Sequence, residues 1–600
     1  TSFVYGPQSL TQGTWNYPAT SKLLFQAGAS YARQFVGFEN ILRRPGNLGR
    51  AISDTGLGIS YGGLAGRESN GEKNKSFNTN ERVSVAYVTG SHSFKAGMNT
   101  YQGPHESKGD VQDAISFGFV NRVPNSLTQF ASPYHSEMSL RSMGLFAQDQ
   151  WTVNRLTLNL GVRFDHYWAY TKAETLPAAR FIGERSIPSV KDYPNLWDWN
   201  PRLGAAYDVF GNGKTALKFN VGRYVGGLGA GLVSTVHPAN AISISTTRTW
   251  TDLDGDYVPD CDLNSRIANA ECGRMNNQLF GTSIQNLTFA DDVRLGWGNR
   301  EYNWQSAVSV QHELRPGFGL NVGYFRTQFF NHVLTENSLV AAADYDEFCV
   351  TAPIDPRLGA NSGQRLCGLY DIKPEKFGQV NQVRTLESNF GERTEVFNGF
   401  DIGSNIRFGR SGLVQGGVSF GRTNDNSCNV STTTYSATSN DAPPRIGYCG
   451  ENLEPWLHGM QLKLAAAYPL PWDSTISTNT QNVGGIERSA NVTYTGAQIA
   501  AALGRTPSAG ATATRSIAVM PDNMEYEPRF TQIDLRFSKG IRIRRARIQG
   551  IFEVYNVTNT RAITGVSSTY GTTAAPSEAF LRPTSLMGSR LFKFGTQFDF

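Results

Sequence analysis

RLTLNLGVRFD, residues 155–165, alternates with a period of two: Leu156, Leu158, Leu160, Val162 and Phe164 fall on one side, and Arg155, Thr157, Asn159, Arg163 and Asp165 on the other. A strand reads this way when one face meets an apolar phase and the other a polar one. A soluble sandwich can produce the pattern once. Here it recurs along the chain, in KTALKFNV (214–221), FDIGSNIRF (400–408), QIDLRF (532–537) and RIQGIFEV (547–554). Segments of about ten residues repeating such a dyad are expected of strands that face lipid outside and a polar lumen inside. The fold class predicted is all-β, a transmembrane antiparallel up-and-down β-barrel.

Bulk properties agree. A soluble chain of 600 residues ordinarily divides into several domains, whereas one large barrel can absorb the whole length. The apolar fraction is 39% and the mean hydropathy −0.35, and no apolar run approaches the ~20 residues of a spanning helix, so helical membrane transport is excluded. Abundant glycine (62), scattered proline (26) and 12% aromatics suit many strands joined by turns. The net charge is only +5, and the densest basic run, RIRRAR at 542–547, sits in a strand-like alternation, so nothing supports nucleic-acid binding.

Candidate strands pair through very short turns at 17–21, 89–91, 153–154, 211–213, 316–317, 410–412 and 471–472, separated by long polar connections. Outer-membrane barrels have short periplasmic turns and longer external loops, which orients the chain. The extracellular loops predicted are approximately 36–78, 172–198, 229–295, 334–391, 426–455, 487–524 and 559–587. About nineteen strands are expected, including segments near 111–121 and 124–133. An odd count whose first strand runs toward the periplasm predicts that further strands precede Thr1, where there is no signal peptide.

Two features support this reading. Phe592, Phe594, Thr596, Phe598 and the terminal Phe600 alternate strictly, and a last strand closing on an aromatic resembles an outer-membrane assembly signal, which makes the barrel assembly machinery a partner. All six cysteines fall in the predicted outer loops, two per loop: Cys261 with Cys272, Cys349 with Cys367, Cys428 with Cys449. Six cysteines permit fifteen pairings, and the simplest closes each loop on itself in an oxidising compartment. Spacings of ten or more residues without CxxC argue against zinc.

LFAQDQWTVNRLTLNLGVRFD (145–165), NPRLGAAYDVFGNGKTALK (200–218) and DLRFSKGIRIRRARIQGIFEVYNVTN (534–559), with the loop strings 250–272 and 348–371, resemble TonB-dependent receptors, particularly the Oar-like type of Acidobacteria and their relatives. The resemblance implies a signal peptide, often a small carboxypeptidase-regulatory-like domain, a plug and a barrel of about 22 strands. It also implies a TonB complex acting through the plug. No plug-like region or TonB box is read in these residues, so the chain is expected to be the C-terminal barrel portion.

Chemistry-bearing motifs are few. In DLDGDYVPDCD, Asp252, Asp254, Asp256, Asp260 and Asp262 are candidate calcium ligands, because carboxylates at alternate positions around Gly255 can wrap a hard cation. Calcium is the one cofactor the pattern suggests. The EF-hand position eleven residues after Asp252 is Leu263 rather than Glu, and a solvated acidic loop is the competing reading. GGLGAG at 226–231 follows a strand but lacks a βαβ unit and a ribose-binding acid. With no HExxH, nucleophile elbow or CxxC, no enzyme is predicted. Trp151, Trp168, Trp199, Trp304, Trp456 and Trp472 lie near predicted strand ends, where indoles favour the headgroup level.

The function expected is an outer-membrane TonB-dependent transporter or receptor for an unidentified saccharide, peptide or siderophore-like solute. It sits as a monomeric barrel in outer-membrane lipid and lipopolysaccharide of a Gram-negative cell. An adhesion or surface-binding protein using the disulfide-tied loops is the alternative, and a passive porin the third.

Overall fold

The computed structural model describes residues 2–39, 50–62, 73–229, 231–283, 287–409, 411–431, 456, 458–520, 525–544 and 546–600. Among these, one sheet of nineteen strands dominates. Seventeen of them run as a continuous antiparallel meander. They are β1 (Ser9–Pro18), β2 (Leu23–Glu39), β3 (Lys73–Thr89), β4 (His92–Gly109), β5 (Tyr134–Val153), β6 (Leu156–Thr171), β7 (Asn195–Asp208), β8 (Thr215–Val225), β9 (Tyr302–Arg315), β10 (Phe318–Phe330), β11 (Thr394–Phe408), β12 (Gly412–Asn426), β13 (Gln461–Leu470), β14 (Ser474–Val483), β15 (Phe530–Ile543), β16 (Ala546–Tyr555) and β17 (Leu591–Asp599). Two short strands complete the sheet: Ser2–Tyr5 pairs with the far end of β2, and Leu295–Trp297 pairs in parallel with the start of β7. No pairing joins β1 to β17 among the described residues, so both are edges of the sheet described here.

The period-two pattern becomes a belt because register carries it from strand to strand. Trp15, Ala27, Val83, Met98, Leu145, Phe164 and Trp199 are successive cross-strand partners over β1–β7. Val310, Val322, Ile402, Val418 and Leu462 continue over β9–β13. Tyr468, Ile476, Phe537, Phe552 and Phe594 do so over β13–β17. Leu160, Val162 and Leu203 stay 42–46% exposed, although a contiguous apolar belt of this extent is unfavourable in water. Lipid is the phase that accommodates it. The opposite face is polar, with ion pairs such as Glu553 to Arg536 at 3.4 Å and to Lys593 at 3.2 Å.

All eight connections at one end are short, as in the two-residue turn between β5 and β6, where Asn154 takes φ +52°. Asparagine tolerates that left-handed conformation, which a tight hairpin requires. At the other end the connections span 40–72, 110–133, 172–194, 226–301, 331–393, 427–460, 484–529 and 556–590.

Two of the nineteen expected wall strands are not in the wall. The segments predicted near 111–121 and 124–133 are Ile115–Val120 and Val123–Phe130, a hairpin inside the 110–133 connection. Ile115, Ser116, Phe117 and Phe119 are all buried, from both faces of the first strand, so it packs in a core rather than dividing lipid from lumen. It belongs to a separate five-stranded sheet with Ala51–Asp54, Ile59–Tyr61 and Ser245–Thr249. The long connections therefore carry secondary structure and cores of their own.

Candidate functional site

Two packed units stand at the long-connection end. The first draws on four connections, with Ile52 and Phe181 packed on it, and buries Ile115, Phe117, Phe119, Leu127, Trp250 and Cys272 together. Trp250 is 1% exposed, with its ring centroid 5.4 Å from Phe117 and 6.2 Å from Phe119. Asp54 ties two connections by accepting the backbone N–H groups of Leu57 (3.0 Å), Asn121 (2.9 Å) and Arg122 (2.6 Å). The second unit joins the 331–393, 484–529 and 556–590 connections around Phe348, Leu358, Leu369, Val492, Ile517, Val519, Tyr570 and Phe580, all buried.

Each unit holds a disulfide: Cys261–Cys272 spans eleven positions and Cys349–Cys367 eighteen. Cys428 opens a short helix, Cys428–Ser431, and Cys449 lies outside the described residues. Phe600 follows β17 and is 99% exposed, stacked on Phe598.

In the second unit Asp355 caps a short 3₁₀ helix, Pro356–Asn361. Its carboxylate accepts from the Arg357 backbone N–H at 2.8 Å, from Arg357 Nε at 3.1 Å and from the Tyr570 hydroxyl at 3.0 Å. The Arg357 guanidinium, above all, holds its pKa down at about 2, below the ordinary 3.8. A lowered carboxyl pKa stabilises the folded form above the unfolded value and loses that contribution as pH falls through the folded one. Acidification between pH ~4 and ~2 is therefore expected to loosen this unit, read as faster proteolysis of 331–393, with a flatter pH response in Asp355→Asn.

The acidic turn sits in the first unit beside its disulfide. Asp252 accepts the backbone N–H groups of Gly255 (3.0 Å) and Tyr257 (3.1 Å), and Asp256 that of Val258 (2.6 Å). Oxygen atoms of Asp252, Asp254 and Glu271 lie within 4.8 Å of one another. Glu271 is the member that sequence reading missed. The signal was available in the Cys261–Cys272 pairing, which folds residue 271 back against 260: the Glu271 carboxylate accepts from Asp260 N at 2.9 Å, Leu253 N at 2.6 Å and Trp250 Nε1 at 3.3 Å. Those backbone donors lower its pKa, while Asp254 and then the other nearby acids raise that of Asp260. Asp256, Asp260 and Asp262 stand outside the three-carboxylate group. Beneath the turn, buried Arg248 donates to the carbonyls of Gly273 (2.8 Å), Ser265 (3.0 Å) and Ile267 (2.9 Å), holding the loop in shape.

On the polar face of the sheet, beside the start of the 226–301 connection, lies a cavity of about 380 Å³, lined among others by Tyr101, Arg163, Asp165, Asn200, Arg202 and Arg300. One hydrogen-bonded chain runs along it. Arg163 donates to Asn99 (2.8 Å) and Asp165 (2.7 Å), Asn200 donates to Asp165 (2.7 Å), and Arg223 donates to Asn200 (3.0 Å) and Asp198 (3.1 Å). Arg300 closes the chain on Asp198 at 2.9 Å. Asp198, Arg223 and Arg300 are all buried and fill the fork where β7 and β8 cease to pair beyond Arg202 and Gly222. The end of the 226–301 connection enters this fork: Gly298 N donates to Trp197 O at 2.8 Å, and Trp297 stacks on Trp197 at 5.7 Å. The start of the same connection, GGLGAG, leads into the helix Gly231–Val236, whose Val233 packs on Met138, Leu140, Tyr167 and Ala169. It is a packing segment rather than a phosphate cradle.

The tryptophans distribute as amphipathic rings do at an interface. Trp151, Trp199 and Trp304 are 36–55% exposed on the apolar face, Trp168 stacks on His166 there, and Trp472 is 84% exposed in the short turn between β13 and β14. Trp456 packs against Phe400 and Phe420.

Comparison with known proteins places this architecture. The TonB-dependent transporter Oar of Myxococcus xanthus is 29% identical over 171 residues, which is 28% of this chain and 14% of that protein. The outer membrane transporter YddB from Escherichia coli superposes over 98% of this chain and 62% of its own, with a TM-score of 0.51 at 10% identity, a likeness of fold alone. The siderophore receptor PiuA from Acinetobacter baumannii is covered to 64%, with a TM-score of 0.47 at 10% identity. The chain thus spans under two thirds of the length of these relatives, which are outer-membrane transporters and receptors, not enzymes. The model of the outer membrane beta barrel domain matches residues 5–445, well over half of the chain. With its lipid-facing belt, short-turn end and matching family model, the chain belongs to the outer membrane β-barrel domain family and resides in the Gram-negative outer membrane.

Proposed function

We propose that this chain forms the wall and outer vestibule of an Oar-like TonB-dependent transporter. In the complete protein the barrel is closed by further strands and holds a plug, and a solute is captured at the long-connection end. The observation that carries this reading is the cavity on the polar face of the sheet: about 380 Å³ of space lined by Arg202, Tyr101 and the Asp165 and Arg300 chain. Arg202 is exposed there and lies over the Tyr224 ring at 4.7 Å, a cation and an aromatic surface side by side for a polar or sugar-like ligand. The long connections lie outside the cell in this reading, and TonB acts through the plug. Uptake by cells carrying the full-length protein should stop when the proton-motive force is dissipated. Uptake that survives uncoupling would refute energised transport and favour a passive pore.

A second reading draws on the packing of the connections. Two units with cores and disulfides of their own present fixed surfaces, as an adhesin would. Surface binding to polymers or other cells without any solute entry would favour it.

We further propose that Asp252, Asp254 and Glu271 bind calcium at the acidic turn. Calcium titration of the chelated protein should slow proteolysis of 245–275 in the wild type but not in Asp252→Asn with Asp254→Asn. No calcium response would leave the carboxylates as caps of backbone N–H groups only.

A further inference from the structure

On the apolar face of β10–β12 three rungs change character in order toward the long-connection end. Val322, Ile402 and Val418 are cross-strand partners in the lipid belt. Two residues further along each strand come Tyr324, Phe400 and Phe420, with ring centroids 5.0 Å apart for the first pair and 5.6 Å for the second. Two further still come Arg326, Asn398 and Arg422, again direct partners on the same face. Trp456 caps the aromatic rung, packing on Phe400 and Phe420 at 6.1 Å each, and the Arg422 guanidinium lies 5.1 Å over its ring. Asn398 Oδ1 accepts from Arg326 Nη1 at 3.0 Å and from the Tyr324 hydroxyl at 2.7 Å, which fixes Arg326 upright on the sheet. Among the described residues neither arginine forms an ion pair with a carboxylate.

Hydrocarbon, aromatic and cation thus succeed one another over about 13 Å of strand, the sequence of layers at a membrane surface. The two arginines stand two strand spacings apart, about 10 Å at Cα, a separation that their side chains can close around one anion. Guanidinium groups match phosphate oxygens in a two-point fork, and among the described residues no carboxylate is paired with either one. A soluble anion would find no use for the apolar rungs directly below. A lipid does.

We propose that Arg326 and Arg422, steadied by Asn398 and the Trp456 ring, bind the phosphate of a phosphorylated glycolipid in the outer leaflet, whose acyl chains lie on the Val322, Ile402 and Val418 rung. The inference depends on the membrane placement and not on transport, so the uptake experiment and this one fail independently. The test reconstitutes the full-length protein in nanodiscs and measures retained lipid A by native mass spectrometry, with bisphosphorylated and dephosphorylated lipid A side by side. The wild type should retain the phosphorylated form on the order of tenfold better. Arg326→Gln with Arg422→Gln should lose that preference, with the heat-modified gel shift reporting that the barrel is folded. Equal retention of the two lipids by the wild type would overturn the proposal, and that arm needs no variant. So would an unchanged preference in the double variant. Displacement by millimolar inorganic phosphate would overturn the lipid assignment in favour of a free-anion site.

Discussion

Asp198→Ala is expected to destabilise the wall by about 3–5 kcal/mol, because it leaves Arg223 and Arg300 buried without their shared counter-charge. Intact, Asp198 is 1% exposed and offers one oxygen to each arginine, so the desolvation of three charges is offset only while all three remain. The loss should be local. The freed fork would release Leu295–Trp297 from β7, so that Trp297 unstacks from Trp197 and the 226–301 connection becomes cleavable. Urea unfolding in vesicles and limited trypsin digestion read the two effects. A variant within about 1 kcal/mol of wild type and equally resistant to trypsin would show that the fork is held by backbone pairing alone. Asp198→Asn, which keeps a hydrogen-bond acceptor but not the charge, should fall between the two.

Trp250→Ala should cost the first outer unit about 3–5 kcal/mol, the range for removing a large buried aromatic. The ring fills the space between Phe117, Phe119 and the Cys261–Cys272 bridge, and its Nε1 is one of three donors to Glu271. Because the unit stands on the wall and is not part of it, its melting should separate from that of the barrel. The gel shift of the folded barrel should persist while proteolysis opens 110–133 and 226–301. Trp250→Phe keeps most of the ring and should lose less than half as much. If the alanine variant weakened barrel and outer unit together, the two would fold as one cooperative body and the division into wall and unit would be wrong.

The wall was legible from residues because lipid and a polar phase impose a period of two that survives without tertiary knowledge. Leu156 to Phe164 show it on β6, and most of their register partners continue it, as Trp151, Leu145, Leu203 and Trp199 do, while Asp149 beside Leu160 does not. The same logic mistook Ile115–Val120 for a wall strand, since a short strand with Ile115, Phe117 and Phe119 on one side looks alike whether that side meets lipid or a protein core. What distinguishes them is burial of the opposite face, Ser116 included, and no single-sequence pattern carries that. The acidic turn was legible only in part, since its remaining signal lay in the Cys261–Cys272 pairing. Asp252 and Asp254 were evident from spacing, but Glu271 joins them only through a chain reversal.

The sequence by itself determined the class of fold, the end with short turns and the membrane in which the protein resides, because each of these follows from local alternation, turn length and family motifs. Only the tertiary structure decided that the long connections gather into cored units, that Arg300, 102 residues beyond Asp198, supplies one of its arginines beside a wedge in the wall, and that Arg326 and Arg422 share a rung with Asn398. These depend on which distant segments meet, and such meetings are set by register and by burial of surfaces from separate loops, quantities that no local pattern records.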